Sequence, residues 1–353
     1  MQNVVVVGAG IIGAALASRL ARMGADVTVL EAASNAGGAA SARSFSWLNS
    51  AWGNTEPYHR LRVASLKEWQ VLAKEVSGIS PDWCGSILWD LPEDELTRSV
   101  PMLESWGYNV ALVDGAFART IEPALRQVPE ISIHAPDEGM IDAVATTEAF
   151  LADASAHGAK VRFGASVAHL ATRGATVTGV DLADGDRVDA DHVVLAAGVE
   201  TAGLIAPLGP VLPVTSIPGL LALTKPLDKV LNGLVISPRA HVRQRPDGRL
   251  IAGTDFAGAD PGEFPDQVAS EILETLNDLI NMPSGIELES YSVGYRPTPE
   301  DGVSIAGCVQ PGVSVAVTHS GITLAPILAK LLASEILTGA RDPLLASFGP
   351  ERF

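Results

Sequence analysis

The sequence predicts an α/β protein in which a dinucleotide-binding domain carries an inserted second domain. Three observations predict this fold: a glycine-rich βαβ pattern at the start, a second α/β pattern in the middle, and differently patterned stretches between them. The chain has 353 residues, which is long for one core and suggests roughly two domains. Apolar residues make up 47% of it and charged residues 18%, which favours a large core over disorder.

The charge of the chain disfavours one class of partner. Acidic residues outnumber basic ones by 41 to 24, and no basic stripe interrupts this balance, so we expect no nucleic-acid partner. The two cysteines, Cys84 and Cys308, form neither a disulfide framework nor a CxxC motif. The seven histidines show no metal-ligand spacing. We expect a cytoplasmic protein without a metal centre.

Two long stretches, residues 201–224 and 302–329, contain no Asp, Glu, Lys or Arg. Their length would admit membrane helices, but prolines interrupt both. The chain starts MQNVVVVGAG, with no basic region before the apolar run and with glycines inside it. We therefore expect buried strands and loops rather than a membrane span or a signal peptide.

The N-terminal pattern has the features of a nucleotide-binding βαβ unit. An apolar run, a helix pattern and a second apolar run lie at residues 4–7, 14–22 and 27–30. The first turn has the spacing GxGxxG, with Gly8, Gly10 and Gly13. These glycines allow a tight turn and close approach of a pyrophosphate, whose charge the helix N-terminus favours. Glu31 follows the second strand, where an acid can bind ribose hydroxyls and disfavours NADP.

A polar segment with a Gly37–Gly38 pair follows Glu31: AASNAGGAASARSFSWLNSAWGN, residues 32–54. The acid, the glycine pair and the Ser-Ala-Arg sequence resemble the FAD-binding start of the D-amino acid oxidase and glycine oxidase superfamily of flavoproteins. The resemblance implies that the loop runs along the diphosphate to the isoalloxazine ring. It implies FAD contacts at Gly8, Gly10, Ile11, Ile12, Gly13, Glu31, Ala32, Ser41, Ala42, Arg43, Trp47 and Leu48.

The middle of the chain is patterned as a second α/β unit. A helix pattern, two strands of a hairpin closed by Asp184–Gly185, and a buried strand lie at residues 146–156, 176–182, 186–188 and 193–195. A further strand at residues 160–163 follows the helix. In the resembled family this block returns to the FAD domain. The resemblance implies that Val167 contacts the adenine and that Ala197 and Gly198 lie under the diphosphate.

The stretches between these blocks have other patterns: residues 58–126 are predicted to be helical, and residues 213–291 show strand patterns. We predict a discontinuous Rossmann-type (GR2-like) FAD-binding domain of residues 1–57, 138–210 and 292–353. We predict an inserted α+β substrate domain, built on an antiparallel sheet, of residues 58–137 and 211–291. Ligands favour the interface between two such domains.

Arg296 is the candidate substrate-binding residue. It lies in GYRPTPEDGVSIAG, residues 294–307, directly before a proline that keeps its backbone extended. A guanidinium binds a carboxylate through two parallel hydrogen bonds, which fix both distance and orientation. In the resembled family an arginine of this segment binds the substrate carboxylate. The structural alternative is an ion pair with Glu300 or Asp301.

The C-terminal segment supplies the remaining cofactor candidates. Residues 318–323 are predicted as a loop and residues 324–337 as a helix, and amides at a helix N-terminus stabilise negative charge. The resemblance implies flavin contacts at Ser320, Gly321, Ile322 and Thr323. His319 precedes them and is either an active-site residue or a structural histidine.

His241 is a further candidate. It alternates with Arg243 and Arg245 on one face of a predicted strand. Counted back from the PDGR turn, it lies where glycine oxidase-like proteins place a tyrosine over the substrate, so a histidine here departs from the pattern. The structural alternative is a solvated strand histidine.

These features predict an FAD-dependent amino acid or amine oxidase or dehydrogenase. Arg296 would hold the carboxylate of an amino acid or N-substituted amino acid. The α-carbon next to its neutral amine would release a hydride to flavin N5, and the imine would then hydrolyse. Oxygen or another acceptor would reoxidise the cofactor. A 2-hydroxy acid oxidase or dehydrogenase, using His241 or His319 as base, and a non-catalytic flavin-binding protein are the alternatives.

Covalent attachment of the cofactor is not expected. Cys308 does not match the position of the cysteine that holds FAD in sarcosine oxidase-type relatives. We therefore predict non-covalent FAD. The sequence leaves a homo-oligomer open.

Overall fold

The computed structural model describes residues 1–254 and 259–353. Residues 255–258, which belong to the predicted substrate domain, lie outside this description. The strands of the described residues are, in chain order, β1 (Asn3–Val7), β2 (Asp26–Glu31), β3 (Trp47–Leu48), β4 (Ser86–Leu88), β5 (Ala111–Asp114), β6 (Ile131–Ala135), β7 (Gly139–Met140), β8 (Lys160–Phe163), β9 (Val167–Arg173), β10 (Thr176–Leu182), β11 (Arg187–Asp189), β12 (His192–Leu195), β13 (Val214–Thr224), β14 (Leu234–Ile236), β15 (His241–Gln244), β16 (Leu250–Gly253), β17 (Leu288–Pro299), β18 (Ile305–Gln310) and β19 (Val313–Val317). The helices are α1 (Ile11–Arg22), α2 (Glu56–Glu75), α3 (Glu93–Ser105), α4 (Gly115–Ile121), α5 (Ala143–Ala156), α6 (Thr201–Ile205), α7 (Pro265–Leu279) and α8 (Gly321–Thr338).

The first large sheet has six strands in the order β18–β19–β12–β1–β2–β8. All its neighbouring pairs are parallel except β18–β19 at one edge. The central strand β1 alternates between two cores: Val4 and Val6 pack with α1 and α8, and Val5 and Val7 pack with the small sheet β11–β10–β9. Because both faces are covered, β1 is a run of valines, as parallel strands usually require.

The second large sheet has eight strands in the order β17–β13–β16–β15–β14–β4–β6–β5. Its neighbouring pairs are antiparallel except β4–β14, which is parallel, so the sheet is mixed rather than purely antiparallel. Helix α7 packs on β13 and β17 through an apolar face of Ala269, Ile272 and Leu276. A two-stranded sheet, β3–β7, lies outside both large sheets.

One of the predicted inserted segments differs in secondary structure from the sequence-based expectation. Residues 58–126 were expected to be helical, but they contain the short strands β4 and β5 as well as α2, α3 and α4. Strands of three or four residues are too short to show an alternating pattern, and pairing with distant strands creates them.

The division into two domains stays a prediction. Its boundary between residues 291 and 292 falls inside β17, and α2 packs against α8.

Helix α8 is the one helix of the described residues that is long and apolar enough to cross a membrane, by length and composition alone. It packs against both α1 and α2. Residues 322–329 are all buried, and eight consecutive residues cover more than two full turns, so every side of this part of the helix is packed. Burial within the protein core accounts for its apolar composition.

We expect Gly13→Ala to lower the free energy of unfolding of the apoprotein by about 1–3 kcal/mol. A Cβ at Gly13 would lie 1.9 Å from the Gly8 carbonyl oxygen, so α1 would have to move away from β1. Gly10→Ala is the matched control, because its Cβ would meet only the Ser41 hydroxyl, at 3.5 Å. Urea unfolding measures both variants, and equal stabilities would contradict the steric argument.

Candidate functional site

A cavity of about 1830 Å³ is lined by residues that follow β1, β2 and β12 and by residues of β15 and β17. Pockets for drug-sized ligands usually measure about 300–1,000 Å³, so this one has room for a larger ligand or for two. It lies at the carboxyl ends of parallel strands, where open α/β sheets bind ligands. All the predicted site residues line it except Gly13, Ala42 and Leu48.

The turn between β1 and α1 brings bare backbone to the cavity. Gly8 has a φ of +102°, and a Cβ there would lie 2.5 Å from the Ala196 carbonyl oxygen. Its amide donates to the Leu30 carbonyl at 2.8 Å, which fixes the turn on β2. Gly13 lies behind this turn and packs α1 on it, which explains why it does not line the cavity. The turn and the start of α1 therefore form a cradle that suits a diphosphate.

The Glu31 carboxylate is held by two backbone amides. Ala9 N donates to one oxygen at 2.7 Å, and Ala33 N donates to the other at 2.9 Å. These bonds point the carboxylate along the end of β2, next to the glycine turn. This position is suitable for the predicted ribose contact, and Val167 lines the same cavity.

The loop after β2 folds over the start of α1. Ser41 Oγ accepts from the Ile11 amide at 3.1 Å, and Arg43 donates to the carbonyls of Gly38 and Ala39. Ala42 donates its amide to the Gly37 carbonyl at 2.8 Å and closes a turn within the loop. Ser41 and Arg43 therefore line the cavity, whereas Ala42 does not.

Successive residues of β3 point in opposite directions. Trp47 lines the cavity, and its indole donates to Glu138 Oε2 at 2.9 Å. Its carbonyl accepts from the Thr323 hydroxyl at 2.9 Å, which joins β3 to α8. Leu48 points into the core, with no exposed surface. The prediction that Leu48 lies beside the cofactor ring therefore does not agree with its place in the fold.

Helix α8 begins earlier than expected. Residues 318–323 were predicted as a loop, but α8 starts at Gly321 and Ser320 is its N-cap. A Cβ at Gly321 would lie within 4 Å of Ile11 and Ile12 at the start of α1. The N-termini of two helices therefore line one cavity, and each favours negative charge.

A hydrogen-bonded chain surrounds the N-cap of α8. Arg62 donates from Nη1 to Ser320 Oγ at 2.7 Å, and that hydroxyl lies 3.1 Å from His319 Nδ1. His319 Nε2 lies 2.8 Å from the Gly302 carbonyl, so it carries the proton and Nδ1 accepts from Ser320. Burial, together with the charges of Arg62 and Arg296, lowers the pKa of His319 to about 4. His319 is therefore neutral near pH 7, and both ring nitrogens are engaged.

One face of the eight-stranded sheet carries the predicted substrate residues. Arg296 lies on β17 and lines the cavity. Gly294, two residues earlier and on the same face, packs against Arg43 of the loop after β2. Asp301, one of the two carboxylates considered as an ion-pair partner of Arg296, pairs with Arg352 at 2.7 Å.

His241 lies on β15 and also lines the cavity. It is only 2% exposed, so the alternative of a solvated strand histidine is wrong. Its Nε2 lies 3.1 Å from Asp90 Oδ2, and the indole of Trp52 donates to the same carboxylate at 3.1 Å. A buried carboxylate thus orients His241 toward the cavity wall.

Three site residues were missed by the sequence analysis. Arg62 lies four residues after Tyr58 on the buried face of α2, and a lone arginine in that apolar stripe was a detectable signal. Asp90 lies two residues after the end of β4, which is a weaker signal. Glu138 lies in a turn before β7 and is fully buried, and no local pattern indicates this.

Neither cysteine is among the described residues that line the cavity. Cys308 lies on β18 with its thiol toward the Gln310 carbonyl. Burial raises the pKa of the Cys84 thiol to about 12. The described residues contain no cluster of His, Cys, Asp and Glu that is able to hold a metal ion.

Comparison with known proteins defines the class. The family model described as FAD dependent oxidoreductase, DAO, matches residues 3–335. The chain therefore belongs to the DAO family of FAD-dependent oxidoreductases. This confirms the predicted family of FAD-dependent oxidoreductases, with FAD as the cofactor.

Individual relatives are distant. A glycine oxidase of Pseudomonas aeruginosa is 25% identical over 392 residues, which cover 98% of this chain and 96% of that protein. The bifunctional protein ThiO/ThiG of Trichormus variabilis is 26% identical over 367 residues, and this chain spans only 55% of its length. The crystal structure of glycine oxidase from Geobacillus kaustophilus superposes with a TM-score of 0.89 at 24% identity and covers 100% of both chains, which shows a shared fold.

We expect the free energy of unfolding of His319→Asn to fall less than that of the wild type as the pH is lowered from 6.5 to about 4. The folded-state pKa of His319 is lowered from 6.5 to about 4, so its contribution to stability is fully present above 6.5 and is lost as the pH falls through about 4. Urea unfolding of the apoprotein across that window measures this, with His157→Asn at an exposed histidine as control. If His319→Asn and the wild type lose stability equally over this pH range, the lowered pKa of His319 is contradicted.

Proposed function

We propose that the chain oxidises the amine of a small carboxylate-bearing substrate, an amino acid or an N-substituted amino acid. The observation that supports this most is the placement of Arg296 in the same cavity as the glycine turn and the α8 N-terminus. Family membership supplies the redox cofactor, and the glycine oxidase name of a full-length relative agrees with an amino acid substrate. The proposal includes a substrate domain built on the eight-stranded sheet.

The residues of the cavity fit FAD from one end to the other. We place the adenosine at Glu31 and Val167, and the diphosphate between the Gly8–Gly10 turn and Ala197–Gly198, because bare backbone and a helix N-terminus meet there. We place the ring system at Trp47 and at the first turn of α8, listed as Ser320, Gly321, Ile322 and Thr323. FAD, when bound, accepts the hydride of the substrate. No cysteine of the described lining is available to attach it, which supports non-covalent binding.

Arg296 is proposed to bind the substrate carboxylate and so to orient the adjacent C–H bond. Its strand pairs with β13 from Val214 to Thr224, which limits its movement. The neutral amine needs no strong base, and the product imine hydrolyses in water. His319 is a positioning residue in this scheme, because its ring nitrogens are committed to Ser320 and Gly302.

The Asp90–His241 pair favours a second candidate, a 2-hydroxy acid oxidase or dehydrogenase. Such an enzyme needs a base for the hydroxyl proton, and a histidine oriented by a buried carboxylate is suited to that role. In the amine reaction the same pair would instead contact the substrate amine. The electron acceptor and a cytoplasmic location remain proposals on the sequence alone.

We expect Arg296→Ala to reduce flavin bleaching by amino acids at least a hundredfold, because the carboxylate loses its bidentate partner. The holoprotein is mixed anaerobically with amino acids, N-methyl amino acids and hydroxy acids while flavin absorbance is followed. Arg239→Ala, at an exposed arginine of the same chain, is the control. If no carboxylate-bearing compound bleaches the wild-type flavin, the proposed function fails and the non-catalytic alternative gains support.

Asp90→Asn and His241→Asn should separate the two candidates. If the substrate is an amine, we expect the rate of flavin reduction to fall about tenfold or less and to keep its rise with pH as the amine becomes neutral. If the substrate is a hydroxy acid, both variants should lose about 10²–10⁴-fold, the usual contribution of a general base. Stopped-flow reduction across pH 6–10 with both substrate classes decides between them.

A further inference from the structure

Arg62 is a buried cation in the wall of the cavity. The residue is 5% exposed, and no ion pair within 4.0 Å among the described residues includes it. Its hydrogen bonds go to neutral groups: Nε to the Asn49 carbonyl at 2.9 Å, Nη2 to Asn49 Oδ1 at 2.5 Å, and Nη1 to Ser320 Oγ at 2.7 Å. Its guanidinium also lies 5.6 Å from the centre of the Tyr58 ring.

Burying a charge without a counter-charge is costly, so a cation in this position needs compensation. Asn49 and Ser320 supply dipoles but no charge. Glu138, the carboxylate with the largest attractive effect on it, is committed to five donors of its own. The charge of Arg62 therefore remains largely available to a negative group that enters the cavity.

Arg62 also holds the side chain of the N-cap residue, Ser320, away from the backbone amides of α8. The Ser320 hydroxyl is directed to Arg62 and His319 and makes no hydrogen bond to the first-turn amides of α8. Serine at this position usually caps those amides. The full charge of Arg62 and the partial charge of the helix end thus act on the same end of the cavity.

We propose that Arg62 stabilises the negative charge that reduction places on the FAD ring system, and so raises the reduction potential of the bound cofactor. The inference rests on the proposed function for the place of the ring at the α8 end of the cavity. Charge close to a flavin ring is one of the ways in which a protein tunes it. Removal of the charge should make reduction less favourable without any change in the substrate residues.

Three variants test this. Arg62→Gln removes the charge and keeps hydrogen-bonding groups, and Arg62→Lys keeps a charge. Asn49→Asp places a carboxylate against the guanidinium with almost no change of shape, so it neutralises Arg62 while retaining it. Arg239→Gln removes an exposed positive charge and controls for net charge.

The readouts are the two-electron potential of the FAD-loaded protein and its affinity for sulfite, which adds to oxidised flavin and leaves a negative charge there. For Arg62→Gln and Asn49→Asp we expect the equilibrium constant for reduction to fall about tenfold or more, which is about 30 mV. Sulfite affinity should fall by a similar factor. Arg62→Lys and Arg239→Gln should remain within about threefold of wild type.

A wild-type potential and sulfite affinity in Arg62→Gln would overturn the proposal, even if Asn49→Asp shifts, because the shift would then come from the new carboxylate. If Arg62→Gln does not fold, a wild-type potential and sulfite affinity in Asn49→Asp overturn the proposal instead. Chemical reduction and sulfite binding need no amine substrate. Failure of the proposed amine oxidation is therefore a separate result from failure of this inference.

Discussion

The cavity depends on a buried carboxylate. Glu138 has no exposed surface and accepts hydrogen bonds from five donors, listed as Trp47 Nε1, Ser50 N, Ala51 N, Ser86 Oγ and Tyr108 OH. These donors come from the segment that contains β3, from β4 of the eight-stranded sheet, and from the segment after α3. Leaving a buried polar group without its hydrogen-bond partner typically costs about 1–3 kcal/mol, and more when the group is charged. Burial raises the pKa of Glu138, while its donors oppose that rise.

Buried cations near the cavity stand in contrast to the acidity of the whole chain. The net charge is −17, yet Arg62 and Arg243 are both 5% exposed. Burial lowers the pKa of Arg243 to about 10, and its guanidinium donates to the Phe45 carbonyl. Basic groups inside the protein favour anionic ligands, whatever the sign of the total charge. A diphosphate and a carboxylate are ligands of that kind.

Features that depend on neighbouring residues were predictable from the sequence, and features that depend on distant residues were not. The βαβ unit and Glu31 were predictable, because local spacing determines them. The start of α8 was placed three residues late, since Gly321 and Thr323 are weak helix formers and only packing on α1 extends the helix. Asp90 and Glu138 acquire their roles from partners far along the chain, 151 and 91 residues away in the bonds to His241 and Trp47. No local pattern contains that information.

Strand β17 has a consequence for assembly. It is the edge strand of its sheet, and the Glu300 amide, which follows it, faces inward to the Pro213 carbonyl. Because backbone groups alternate along a strand, Pro297 and Pro299 occupy outward-facing positions, where an amide would otherwise be presented to a neighbouring chain. The segment that holds Arg296 is thus a poor template for strand addition by another molecule. Aggregation through this edge is disfavoured by two prolines, of which Pro297 also restricts the backbone of Arg296.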